Sequence, residues 1–342
     1  MEVAVEDHPE KETQPGIGNN GAELKATIHD VARKARVSIV SVSRVFNDHP
    51  NVSRRMREKV MMAARILGYQ PRLVLRPSSI GLLVGDPRRF AAATDMNQIC
   101  CHISLAAANS EFQTRLFPWD QVNELTRHSL DGVIEVEPGD NRLYAQKDFP
   151  RIPVVLTQNR TLHPAWSSVT VDYEQEGALA LETLFHHGHR RIAFLVDSFA
   201  PWTHQYRIRG LRERARTLGL PDDATPLLDL STIPFRELAG VLRHEKVSAL
   251  VSFSSDHVGP LLEYLFNDSG IRIPGELSLL ALDNSAFTRH YHPRVCRIEQ
   301  NLVELAAASV RELLRRMTPD SETRNILIPS RIQHRQTCNS LS

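Results

Sequence analysis

From residue 80 onward the sequence alternates apolar runs of strand length with amphipathic helical stretches, a pattern that few architectures accept. The runs fall at 80–84, 112–116, 133–136, 154–156, 192–196, 249–253 and 277–282, with helical periodicity between them at 96–108, 174–187, 206–218 and 258–266. Strands this continuously apolar need cover on both faces, which parallel sheets flanked by helices provide. The number of units predicts two lobes, and a hydrophobic content of 42% is enough to fill their cores.

The residues before this body follow a different pattern. Residues 1–24, with six acids against one lysine and no periodic apolar face, read as a disordered acidic tail. Residues 25–76 then carry twelve Lys/Arg against three acids, so the near-zero net charge of +1 hides a compact basic block. Such a block is the electrostatic footprint of a nucleic-acid-binding module, although a solvated basic face has the same composition.

Within the block three short helices are predicted. Thr27 caps the first, with Asp30 as its capping-box acid and Ile28, Val31, Ala32 and Ala35 inward. Ser38 caps the second, which turns Val42, Val45 and Phe46 inward. Ser53 caps the third, with Met56, Val60, Ala63, Ala64 and Leu67 inward and Gly68 as its stop. Two helices joined by a short turn around a shared apolar face form a helix-turn-helix, whose second helix docks in the major groove. With the inner positions taken, Ile39, Val40, Ser43 and Arg44 face solvent, an unusual cluster for an indifferent surface.

The segment Thr27-Ile28-His29-Asp30-Val31-Ala32, with Ala35, Val37-Ser38, Val42-Ser43-Arg44-Val45, Asn47, Val52-Ser53 and Leu67-Gly68-Tyr69-Gln70-Pro71, resembles the DNA-binding headpiece of the LacI/GalR repressor family over about 45 residues. The resemblance implies that Ile39 and Val40 occupy the positions that set operator preference. It places Ser43 and Arg44 at phosphate and base edges, Ser38 and Ser53 at phosphates, and Thr27, Ser41, Asn47, Arg57 and Tyr69 in the same DNA-facing set. Arg44 can donate two hydrogen bonds to guanine, whereas Ile39 and Val40 suit thymine methyl groups or groove shape.

Two departures from the family pattern stand out. Arg36 replaces the glycine usual in the turn, which implies about 1 kcal/mol of strain if φ is positive there. The hinge, residues 71–79, is short; Pro77 interrupts its helix and Ser78 stands where a wedge leucine is expected, leaving Leu73 or Leu75 as the minor-groove wedge.

Weaker landmarks run on through Val171-Asp172-Tyr173, 187–195, Arg207-Ile208-Arg209-Gly210-Leu211, Ser255-Asp256, 273–278, 280–284 and His334-Arg335-Gln336-Thr337. They imply a fold of class α/β in which the small all-α headpiece (25–70) precedes a two-lobed, type I periplasmic-binding-protein-like effector domain (80–342) with parallel sheets. Lobe 1 is expected over about 80–170 and 299–325, and lobe 2 over about 171–298 and 326–342.

The resemblance places effector-binding residues at Arg207, Asp283 and Ser255; its neighbour Asp256 suits either a cap for the following helix or the same cleft. Trp202 suits either a sugar face or a plain core position. Arg88 and Arg89, after the first strand, suit either an anionic effector or a solvated loop. The implied partners are a near-palindromic double-stranded operator, a sugar-like effector and a second copy of the chain in a homodimer.

Other classes find little support. A solute-binding protein without a DNA role leaves the basic block unexplained. An enzyme on a doubly wound fold lacks any GxxxxGK[ST] or GxSxG motif and any GxGxxG that follows an apolar strand run, so no catalytic residue and no cofactor are assigned. No metal is expected. The four cysteines, Cys100, Cys101, Cys296 and Cys338, lie in no CxxC pattern and read as reduced thiols, and the glycine within His186-His187-Gly188-His189 breaks any ligand face. An acidic, polar start and the lack of a long apolar stretch lead us to expect a cytoplasmic protein without membrane contact.

Overall fold

The computed structural model describes residues 26–46, 52–69, 78–85, 94–136, 152–160, 163–197, 201–253, 257–284, 288, 290–318 and 321–341. The expected acidic tail, Asn47, Leu73, Leu75, Arg88, Arg89, Ser255 and hinge residues 71–77 lie outside them. The chain divides into two compact units, Met1–Arg76 and Pro77–Ser342.

The first unit holds three helices, α1 (Ile28–Ala35), α2 (Ile39–Phe46) and α3 (Arg54–Ile66). Their apolar stripes close on a core of Val31, Ala32, Ala35, Val42, Val45, Val60, Ala63 and Ala64, with Val37, Phe46 and Tyr69 packed at its edge. Each inward position read from the 3.6-residue period is buried or packed against this core. The local signals also act as expected: Thr27 and Asp30 form a reciprocal capping box, and the Ser53 side chain accepts from the Met56 N–H.

The second unit is built on two six-stranded sheets. The first runs β11–β5–β4–β3–β1–β2, all parallel, from β1 (Ser79–Val84), β2 (Gln113–Pro118), β3 (Gly132–Val136), β4 (Val154–Thr157), β5 (Ser167–Val171) and β11 (Asn325–Ile328). Helices α4 (Thr94–Ala108) and α9 (Leu302–Arg316) cover one face through Ile99, Ile103, Leu305 and Val310. The other face is closed by Leu125, Leu130 and Trp166.

The second sheet runs β12–β10–β9–β8–β6–β7, from β6 (Ile192–Val196), β7 (Leu227–Asp229), β8 (Ala249–Ser252), β9 (Ser278–Leu282), β10 (Cys296–Glu299) and β12 (Arg331–Gln333). It is parallel except for β12, which pairs antiparallel to β10. Helices α5 (Tyr173–His186) and α6 (Trp202–Thr217) cover one face, and α7 (Phe235–His244) and α8 (Val258–Glu263) the other.

The chain passes between the sheets three times, after β5, β10 and β11. The first two crossings lead directly into helix caps, where Asp172 accepts from the Gln175 N–H at 3.1 Å and Asn301 from the Glu304 N–H at 3.1 Å. The third corrects the sequence-based boundary. Residues 326–328, assigned there to the second lobe, pair with Val169, Thr170 and Val171 in the first sheet. The apolar run continues to Ile328, and Pro329, which has no N–H for a ladder, ends it.

Candidate functional site

In the first unit the outward face of α2 is the feature to explain. Val42 and Val45 anchor the helix in the core, which turns Ile39 (41% exposed) and Arg44 outward. For Val40 and Ser43 only the helical backbone is described. The helix start is fixed by Ser38, whose Oγ accepts from the Ser41 N–H at 3.1 Å and contacts Ser41 Oγ at 2.9 Å. Thr27 and Ser53 are exposed at their caps, and Arg57 is half-buried. Tyr69 rests its ring against Phe46, centroids 5.8 Å apart.

The turn before α2 carries the strain expected of it. Arg36 sits in the left-handed region at φ 53° and ψ 49°, its N–H satisfying the carbonyls that end α1. Around these helices Arg33, Lys34, Arg36, Arg54, Arg55, Lys59 and Arg65 are all exposed, giving the unit a basic surface. Thr27 hydrogen bonds, followed by the Arg33 charge, hold the Asp30 carboxyl below its ordinary range. Among the described residues, Arg44 is the one base-competent arginine on the outward face of α2, and the other described cations of the unit lie on α1, on α3 or in the turn.

In the second unit the polar residues gather where parallel strands end. Asp197, Phe253 and Asp283 directly follow β6, β8 and β9, the carboxyl edge at which open α/β sheets bind ligands. Asp283 is buried and accepts from the Thr288 hydroxyl. Asp197 pairs with the buried His204 at 3.2 Å, and His257 Nδ1 lies 3.8 Å from its other oxygen.

Arg207 arises from α6 and is only 7% exposed. Its guanidinium lies 4.9 Å from the Tyr173 ring and 5.9 Å from the Phe253 ring, and its Nη1 donates to the Phe253 carbonyl at 3.4 Å. Burial pushes the Tyr173 phenol above its ordinary range.

Sequence reasoning missed the partner of Arg207. Its Nε donates to Glu176 Oε2 at 2.8 Å, and Glu176 is fully buried. The second carboxylate oxygen accepts from Ser330 Oγ at 2.7 Å and Gln300 Nε2 at 2.9 Å. Gln300 in turn accepts from Asn284 Nδ2 at 3.3 Å, next to Asp283, so one polar network joins the strand end to all three crossings. A signal for Glu176 did exist: it stands on the stripe of Tyr173, Gly177, Ala180 and Leu184, where an acid needs a buried partner.

Trp202 is half-buried and packs edge-on to Tyr173 and Tyr206, at 5.2 and 5.4 Å, against the first sheet's core. The histidine cluster is divided among separate partners. His187 Nδ1 meets the Thr183 carbonyl at 2.7 Å, and His189 bridges Ser248 Oγ at 2.8 Å and the Asn339 carbonyl at 3.1 Å. Among the described residues no group of His, Cys, Asp or Glu is arranged to hold a metal, the four cysteines are free, and no helix is long and apolar enough to cross a membrane.

Comparison with known proteins agrees with this division. Residues 27–72 match the model of bacterial regulatory proteins of the lacI family, and residues 181–338 match a periplasmic binding protein-like domain. The chain is 25% identical to catabolite control protein A of Priestia megaterium, over 92% of this chain and 99% of that one. It is 26% identical to the HTH-type transcriptional regulator GalR of Escherichia coli strain K12, over 90% and 94%. Among solved structures, the lac repressor dimer bound to operator and the anti-inducer ONPF aligns with TM-score 0.68 at 22% identity, covering 92% of this chain and 99% of that one. The transcriptional regulator CelR–cellobiose complex aligns with TM-score 0.63 at 23% identity, covering 91% and 99%.

Proposed function

The chain belongs to the LacI/GalR family of transcriptional regulators, and we propose that its α2 face reads a near-palindromic operator while the strand ends of the second unit bind a sugar-like effector. The observation that carries the reading is the exposed pairing of Ile39 and Arg44 on a helix whose other side closes a core. Arg44 supplies the bidentate donor for guanine, Ile39 and Val40 supply apolar contact with thymine methyl groups or groove shape, and Ser43, Ser38 and Ser53 grip phosphates. Thr27, Ser41, Arg57 and Tyr69 complete the contact surface.

A single small headpiece grips weakly, so two copies in a homodimer address two half-sites; the solved lac repressor dimer bound to operator supports this. The effector binds near Arg207 and Asp283, whose donors and acceptors suit hydroxyl groups; the cellobiose held by CelR supports this class. Effector occupancy shifts a two-state balance between lobe arrangements and thereby sets operator affinity. The regulator acts in the cytoplasm, where its operator is.

Two experiments test the reading. In a salt series followed by fluorescence anisotropy on genomic fragments, log K is expected to fall steeply with log salt, and a flat response excludes a phosphate-gripping headpiece. A thermal-shift screen of sugars, sugar phosphates and purines is expected to yield a sugar that raises Tm in the intact chain but not in Arg207→Ala. If only purines do so, the sugar assignment fails.

A further inference from the structure

A fully buried carboxylate next to the arginine of an effector site needs an explanation, because burying a charge is unfavourable unless it is paired and hydrogen bonded. Glu176 meets both conditions, with Arg207 on one oxygen and Ser330 and Gln300 on the other. The second pair fixes the carboxylate from behind, so it stays against the guanidinium. Arg207 is fixed as well, with its guanidinium 4.9 Å from the Tyr173 ring and its Nη1 on the Phe253 carbonyl. The guanidinium thus keeps its directional donors while its charge is already compensated.

The neighbouring charge points the same way. Asp283 and Asp197 follow strands of the same sheet edge, which adds two acids near the pair, with the His204 imidazole against Asp197. An anion brought to Arg207 would lose its hydration without meeting net positive charge at the Arg207–Glu176 pair, whereas a hydroxyl needs only the N–H donors and carboxylate acceptors present. We propose that Glu176 sets the charge class of the effector: by neutralising Arg207 from behind, it makes the site select an uncharged polyhydroxyl ligand and refuse a phosphorylated or carboxylated one. This rests on the effector site proposed above and adds a specificity-determining residue to it.

The test uses the full chain and inorganic sulfate as the anionic probe, with chloride at matched ionic strength as control. Glu176→Gln keeps the side chain's size and removes its charge, which leaves Arg207 uncompensated. At sulfate about ten times its Kd, the variant is expected to gain roughly 3–5 °C in Tm over the wild-type response. The double variant Glu176→Gln/Arg207→Gln is expected to lose that gain, and anion binding by the basic headpiece, common to all three chains, cancels in the comparison. Glu176→Met, uncharged and of similar length, repeats the test if the glutamine variant melts below the assay range. The proposal is overturned if neither uncharged variant gains a sulfate response, or if the wild type already has one that Arg207→Gln removes. A sugar that binds the wild type while Glu176→Gln gains nothing overturns this inference alone. A sulfate gain without any sugar binding overturns the sugar assignment alone.

Discussion

Gly177 leaves no space for a side chain: a Cβ built there would lie 1.9 Å from the carbonyl oxygen of Arg207. The contact is reciprocal, since a Cβ on Gly210 would lie 1.9 Å from the carbonyl oxygen of Glu174. Two helices, Tyr173–His186 and Trp202–Thr217, therefore cross backbone to backbone, and this crossing presents Glu176 to the Arg207 side chain. Gly177→Ala must part the helices, so it is expected to lower the stability of the second unit by about 1–3 kcal/mol, read in a urea melt, and to abolish effector binding. Headpiece binding to non-specific DNA should be unchanged.

The left-handed backbone at Arg36 predicts the opposite sign for a change to glycine. Arg36→Gly relieves the Cβ clash at φ 53° and is expected to stabilise the headpiece by about 1 kcal/mol. Thermal unfolding followed through headpiece signals checks this, and a destabilised variant would show that the arginine side chain contributes more than its backbone strain costs.

Arg44 is exposed and packs no core, so its removal should spare the fold. Arg44→Ala is expected to lose about 1–3 kcal/mol of discrimination between a selected operator and a scrambled duplex, measured by competition anisotropy. Effector affinity should stay at the wild-type value.

Acid sensitivity in the second unit should trace to His189. Burial holds its imidazole below the ordinary 6.5, with the Asn339 carbonyl pulling weakly the other way. The folded state therefore binds its proton less readily than the unfolded chain does. The stability this provides is full above about pH 6.5 and is lost as pH falls through 6.5 toward the lower folded value. His189→Gln is expected to flatten that slope in melts between pH 7 and 5, and an unchanged slope would assign the sensitivity elsewhere.

How much of this was legible in sequence depended on how local the cause is. The headpiece was readable almost position by position, because capping at Thr27, Ser38 and Ser53 and the apolar stripe through Val31, Ala35, Val42 and Val60 act within a few residues. Strand Ser167–Val171 was missed because three of its five residues are Ser or Thr, although every one is buried; its Ser167 and Ser168 hydroxyls are satisfied by Glu312 and Asn325, far along the chain. The Glu176 network escaped for the same reason: its partners lie 31, 124 and 154 residues away, at separations no local period encodes. What the sequence did show was an acid on a buried stripe, a local conflict that only tertiary structure resolves.

The central claim is that the α2 face of this chain lies against duplex bases. Footprinting the full chain across genomic fragments, in parallel with Arg44→Ala, tests it most directly. Discrete, near-palindromic protected sites are expected for the wild type, lost in the variant at the same protein concentration. Uniform or absent protection by the wild type, or the same sites protected by Arg44→Ala, would contradict it.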